Sequence, residues 1–448
     1  MRRTSTAVVA VSLAAVAACS STASVTPQKP SAGPASHFTD WPNYHRTPAK
    51  SGLAQGSVRL PLHAAWTRKL DGGVWSEPVI ADGVLIAATE RNSVYGLNPQ
   101  TGKILWHQKL ALAEPLSSQP CGDIDPLGIT GSPAYDPATG SVFVVDTSPS
   151  GHHTVWALSA KTGHRRWHRS GDIRGRDMNA EQQRSALLVV DHRVIVTYGG
   201  HDGDCGNYVG YAMSIATDGK GRTPHYAVPT AREAGMWSPA GPVVGPTGNV
   251  YVAAGNGAST SGGWDRSDSV TELAPASMRR LAVFAPSTWA QDNAADLDLG
   301  SSSPLPVGSR IVIAGKRGTV YLLSPNLGGI GGQLATASGC QAFGGGATTG
   351  SLAIMPCTSG VRALSVGADS LTWRWSADGI FGSPVVAGKR VFVADRNSGS
   401  LKVLSLATGQ VVTSVPISGS LPTFPSEVVD GNHVFVPTRS GITAIRGS

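Results

Sequence analysis

Ser76-Glu77-Pro78-Val79-Ile80-Ala81-Asp82-Gly83-Val84-Leu85-Ile86-Ala87-Ala88 is the stretch that decides how this chain folds. A short apolar run with Pro near its start meets an Asp-Gly turn and resumes as a second apolar run, the pattern of strand, tight hairpin, strand. Ser93-Val94-Tyr95-Gly96-Leu97 alternates as a third strand. Pro99-Gln100-Thr101-Gly102 supplies a turn with Gly where a positive φ is wanted, and Ile104-Leu105-Trp106 is a fourth strand closing on an aromatic.

The same order returns. Gly131-Ser132-Pro133 leads to Val142-Phe143-Val144, then Val155-Trp156-Ala157-Leu158, Lys161-Thr162-Gly163 and Trp167. Ser238-Pro239, Ser303-Pro304 and Ser383-Pro384 open further copies, and weaker ones start near Arg184, Gly346 and Pro425. That makes eight units, starting about every 35 to 60 residues. A four-stranded meander cannot cover its own faces, so neighbours must do it. The expectation is an all-β fold, a β-propeller of eight four-stranded blades. The last unit, residues 426–445, ends after its third strand, while residues 62–70 read as an orphan fourth strand. Pairing the two would close the ring and remove its open edges.

Composition agrees. Only 15% of the 448 residues are charged, and 55 are Gly, which suits many short strands and turns. The net charge of +7 comes with no basic run, so nucleic-acid binding is not expected. Residues 1–18 read as a lipoprotein signal peptide. Arg2 and Arg3 precede an apolar stretch from Ala7 to Ala18, too short to span a bilayer, which ends in Val16-Ala17-Ala18-Cys19. That ending resembles the bacterial lipobox, which implies lipidation at Cys19, attachment to the membrane and an extracytoplasmic location. Residues 19–38 read as a flexible tether, and residues 39–448 as the propeller, expected to be a monomer. An even set of remaining cysteines in an exported chain implies two disulfides. Cys340 and Cys357 fall within one unit, which favours Cys340–Cys357 with Cys121–Cys205.

The segment Leu97-Asn98-Pro99-Gln100-Thr101-Gly102-Lys103-Ile104-Leu105-Trp106 resembles the repeat of the pyrroloquinoline-quinone (PQQ) dependent alcohol dehydrogenases. It is also similar to that of the barrel-assembly lipoprotein of Gram-negative outer membranes, a non-enzymatic relative. In such repeats the Trp caps the neighbouring blade. The order of Trp237, Asn256, Asp298 and Lys316 resembles the dehydrogenase pocket. The resemblance implies Trp237 as the floor under a quinone, Lys316 on its oxygens, Asp298 as catalytic base, and Asn256 with Asp204 as Ca²⁺ ligands. The chain departs from that family in lacking a Cys-Cys pair, a Cys-x-x-Cys-His haem site and the Gly-Asn-Pro context of the metal-binding Asn.

Three functions stay open. The first is a non-enzymatic scaffold lipoprotein that binds a protein or small ligand at its funnel. The second is a PQQ- and Ca²⁺-dependent oxidoreductase acting on an alcohol or sugar. The third is a wall polysaccharide-binding protein using the loop aromatics Trp264 and Trp289. Glu77 and Arg184, near the starts of inner strands, are expected close to the central channel.

Overall fold

A computed structural model describes Met1 and residues 38–448. The expected signal peptide, the lipidation site Cys19 and nearly all of the tether lie outside the described residues. Residues 37–448 form one compact unit. Its strands assemble into eight sheets, antiparallel but for one short parallel pair in blade 4, and mostly built from consecutive segments of chain. In blade 1 the order is Val79–Ala81, Val84–Thr89, Ser93–Leu97 and Ile104–Lys109. The first strand of that blade is buried throughout, and the fourth alternates between exposed and buried positions, so the blade runs from axis to rim. Blades 3 and 4 keep the expected four-stranded plan and add to it. Each has a fifth short strand, Glu181–Gln182 in blade 3 and Gly329–Ile330 in blade 4.

The blades form a closed ring because each hides its faces against its neighbours. Val84, Ile86 and Val94 of blade 1 share one apolar cluster with Tyr135 and Val142 of blade 2. Equivalent clusters join each later pair, and a last one gathers Phe392 of blade 7, Phe435 of blade 8 and Leu85 of blade 1. Blade 8 has the composite make-up read from the sequence. Leu62–Lys69 pairs antiparallel with Gly441–Gly447, from Leu62 opposite Gly447 to Lys69 opposite Gly441.

Tryptophans latch blade to blade. Trp66, Trp106, Trp167 and Trp375 each lie on the turn Gly of the next blade, respectively Gly102, Gly163, Gly219 and Gly409. All four glycines have φ between +66° and +74°. A Cβ on Gly163 would stand 2.4 Å from the Trp106 ring, so only Gly admits the docked indole. The indole N–H of Trp106 donates to the Ala160 carbonyl at 3.0 Å, and that of Trp375 to the Leu406 carbonyl at 2.9 Å.

The chain before the first blade does something that periodicity could not reveal. Residues 41–58 run across the inner strands and plug one end of the axis. Trp41 bridges Ile80 of blade 1, and the Pro42 carbonyl accepts from Tyr135 of blade 2. The Pro48, Ser51 and Gly52 carbonyls accept from Val244, Thr348 and Val386 of blades 4, 6 and 7. At the centre, Glu77 Oε1 accepts from the Trp41 indole at 2.6 Å and from the His45 amide at 2.8 Å. Ser426 Oγ bridges Glu77 Oε2 and His45 Nε2, and all three residues are buried. Burial raises the Glu77 carboxyl to about 8 and lowers the His45 imidazole to about 3, so both sit neutral in the plug near pH 7. Among the described residues no helix is long and apolar enough to cross a membrane.

Candidate functional site

With one end of the axis plugged, the other opens as a single cavity of about 210 Å³. Its wall comes from two kinds of segment. One is the chain leading into an inner strand, giving Trp75, Arg184, Trp237, Phe343 and Phe424. The other is the loop after a second strand, giving His201, Asp204 and Lys316. Antiparallel meanders put these two segments at the same end of every blade. The repeat therefore concentrates its least repetitive residues here.

Four of the five pocket residues expected from the sequence, Asp204, Trp237, Asp298 and Lys316, line this cavity. Asn256 is buried beside it. Its backbone N–H donates to Asp298 Oδ1 at 2.6 Å, and its side chain is not part of the cavity wall. Lys316 Nζ sits 2.7 Å from Asp298 Oδ2 and 2.7 Å from Asp296 Oδ1. Burial raises the Asp298 carboxyl, and the Lys316 ammonium draws it part of the way back. Burial works against the Lys316 charge, yet the two carboxylates hold its pKa above the ordinary lysine value. Both oxygens of Asp298 are therefore engaged, one by an ammonium and one by an amide.

The opposite wall carries a different charge. Arg184 is 7% exposed and donates to the carbonyls of Thr130 at 3.0 Å and Trp75 at 3.5 Å. Its guanidinium lies 5.8 Å from the Phe424 ring centre. Burial lowers its pKa to about 10, with Tyr44 and Asp123 acting in the opposite sense. Among the described residues no carboxylate forms an ion pair with it. Trp237, Phe343 and Phe424 meet nearby, Phe343 and Phe424 stacked at 5.8 Å and Trp237 about 6 Å from each. Neither phenylalanine stood out in the sequence, because each lies in a Gly- and Pro-rich connection with no alternation to mark it.

The mouth is braced by Cys121–Cys205, which ties the loop after blade 1 to the loop after the second strand of blade 3. The other disulfide, Cys340–Cys357, lies within the blade 5–6 region.

Trp237, Phe343 and Phe424 give the cavity an aromatic lining, but a calcium ion does not fit the residues present. Ca²⁺ takes about six to eight oxygens. Asp298 is occupied as described, Asp204 Oδ1 accepts from the Tyr208 hydroxyl at 2.5 Å, and Lys316 already fills the cationic role. Among the described residues no group of three or more His, Cys, Asp or Glu could hold a metal ion. The two loop aromatics are not open platforms either. Trp289 begins a short helix, Trp289–Ala294, and is 8% exposed. The Trp264 indole N–H donates to the Ser267 carbonyl at 2.9 Å, and Arg266 lies over its ring at 5.1 Å.

Comparisons with known proteins agree with this architecture. No curated protein matches the chain. Among solved structures, the quinohemoprotein alcohol dehydrogenase from Comamonas testosteroni superposes with a TM-score of 0.69 at 16% identity, covering 91% of this chain and 80% of that one. BamB from Moraxella catarrhalis gives a TM-score of 0.62 at 17% identity, covering 87% of this chain and 100% of that one. A europium-containing methanol dehydrogenase gives 0.66 at 13% identity, with 90% of each chain covered. Identities this low speak for the fold alone. A family model described as outer membrane protein assembly factor BamB matches residues 63–330, more than half of the chain. The chain thus belongs to the PQQ-type β-propeller family that this model represents.

Proposed function

We propose that this protein is an extracytoplasmic binding module, anchored to its membrane through Cys19, that seats a small planar anion in the axial cavity and does not oxidise it. The observation that carries this reading is the asymmetry of the cavity. On one wall each oxygen of the Asp298 carboxylate already holds a partner, Lys316 on one and the Asn256 amide on the other, which weakens it as a base toward a substrate proton. On the other wall the buried Arg184 guanidinium has an aromatic neighbour and no acid within ion-pair distance, Asp123 on the cavity wall acting on it only from further away. A buried cation without a counter-ion favours an incoming anion.

A second reading, PQQ-dependent oxidation of an alcohol or sugar, draws on Asp204, Trp237, Asp298 and Lys316 lining one cavity. Calorimetry with PQQ as the planar anionic probe, with and without Ca²⁺, separates the two. A binding module is expected to take the probe without Ca²⁺, to lose at least about tenfold in affinity in Arg184→Met, and to reduce no dye over an alcohol and sugar panel. Turnover that needs Ca²⁺ and disappears in Asp298→Ala would establish the oxidoreductase instead.

A further inference from the structure

In every blade the turn between strands 1 and 2, and in blades 1 to 7 the turn between strands 3 and 4, lie at the end opposite the cavity, a consequence of antiparallel pairing. The two ends of the ring differ sharply in charge. Taken with their flanking strand residues, the turns opposite the cavity carry eleven Lys and Arg against six Asp. The connections at the cavity end carry twelve Lys and Arg against twenty Asp and Glu, and seventeen acids remain once the buried Glu77, Glu181 and Glu427, raised to about 8, are set aside. A chain with a modest overall charge is thus polarised along its axis. Lys103, Lys161, Lys220, Arg222 and Lys389 are exposed on the basic end, spread over blades 1, 2, 3 and 7.

The same end exposes apolar side chains at the starts of fourth strands. Ile104 and Leu105 in blade 1 are 39% and 49% exposed, Leu281 in blade 4 is 37%, and Val411 and Val412 in blade 7 are 52% and 50%. At the acidic end the exposed counterparts, Leu112 and Leu116, belong to one loop. The chain also enters the propeller on the basic end. Thr39 donates to Asp430 and Asp40 accepts from the Asp82 amide, both acids being in turns between strands 1 and 2. Phe38 packs on His433 and Phe435 of blade 8.

We infer that this turn-bearing end is a docking face for an anionic lipid bilayer, which turns the cavity away from the membrane. Basic side chains attract the negative headgroups, and the rim aliphatics enter the interfacial layer. The described chain enters the propeller at this same end, with Phe38 and Thr39 against blade 8 and Asp40 against blade 1, and the proposed anchor at Cys19 lies upstream of that point. That last point rests on the reading of Cys19 as the anchor, whereas the charge and apolar pattern stand without it.

The test uses residues 37–448, a compact unit that contains all eight sheets and their shared cores, so binding cannot come from the anchor. Flotation with phosphatidylcholine vesicles, with or without phosphatidylglycerol, is the measurement. Recovery with the phosphatidylglycerol vesicles is expected, falling as salt rises. Lys103→Glu, Lys220→Glu and Lys389→Glu combined should weaken partitioning by more than roughly a hundredfold, from about fivefold for each surface charge. The control Arg91→Glu, Arg174→Glu and Arg396→Glu changes the net charge equally at the acidic end and should leave it within about threefold. Leu105→Ser with Val412→Ser should remove the binding that survives high salt. Equal losses in both triple variants would overturn the inference. So would binding to soluble polyphosphate as tight as to vesicles, which would assign the face to an anionic polymer. Fatty-acid labelling of the full chain, lost in Cys19→Ala, tests the anchor separately, so either idea can fall alone.

Discussion

The two ends of the propeller axis solve the problem of buried polarity in opposite ways. At the plugged end, Glu77, His45, Ser426 and the Trp41 indole satisfy one another, and the group is sealed by residues 41–58. At the open end, Arg184 is also largely buried, but it faces the cavity with only carbonyl hydrogen-bond partners, and the loops around it are braced by Cys121–Cys205 instead of by a core. Completing a buried network makes a rigid base. Leaving one charge without its opposite makes a receptor.

Removing the carboxylate from the sealed end should have the largest effect. Glu77→Ala strands the Trp41 indole, the His45 amide and Ser426, and is expected to cost about 3–5 kcal/mol in urea unfolding. A loss below about 1 kcal/mol would show that the plug is a passive filler. Next comes the open end. The Cys121–Cys205 bond closes 84 residues, and its removal by Cys121→Ser with Cys205→Ser should cost up to about 4 kcal/mol. Limited proteolysis should then cut first between residues 109 and 134 while the plug stays protected. Uniform cleavage would erase the distinction between the ends.

Lys316→Met should cost about 2–3 kcal/mol by leaving Asp298 buried beside an apolar chain. It should also raise the pH at which Asp298 ionises, which NMR titration can follow. The smallest effect concerns Glu181 and Glu427, whose carboxyls burial raises from 4.5 to about 8. Groups raised on folding favour the protonated native state. Their stabilising contribution is full below about pH 4.5 and is lost as pH climbs towards 8. Glu181→Gln and Glu427→Gln mimic the protonated forms and should flatten that slope in thermal scans between pH 5 and pH 8, by about 1 kcal/mol each. An unchanged slope would mean that both acids are ionised in the fold.

The ring was legible in the sequence because its parts repeat. A Gly turn followed by Trp, as at Gly102 with Trp106 and Gly163 with Trp167, marks the early latches, and the missing fourth strand of the last unit pointed to residues 62–70. Blades 3, 6 and 8 were fainter for a physical reason. The connections entering them are spent on the cavity wall, where they place Arg184, Phe343 and Phe424. The cavity itself was only half readable. Trp237, Asp298 and Lys316 follow a family order, but Phe343 and Phe424 stand in the connections before blades 6 and 8 and meet Trp237 only once the ring has closed. The plug was unreadable because residues 41–58 pair with six different sheets, one or two bonds at a time, and so carry no period of their own.

The seam between Leu62–Lys69 and Gly441–Gly447 sets an order of events in assembly. The strand made first must wait for the strand made last, about 375 residues later, before either edge is covered. Until then both edges stay open to other chains, so a nascent or truncated molecule is the species most prone to mispairing. Stop codons near the C-terminus should therefore be far more damaging than their distance from the cavity suggests.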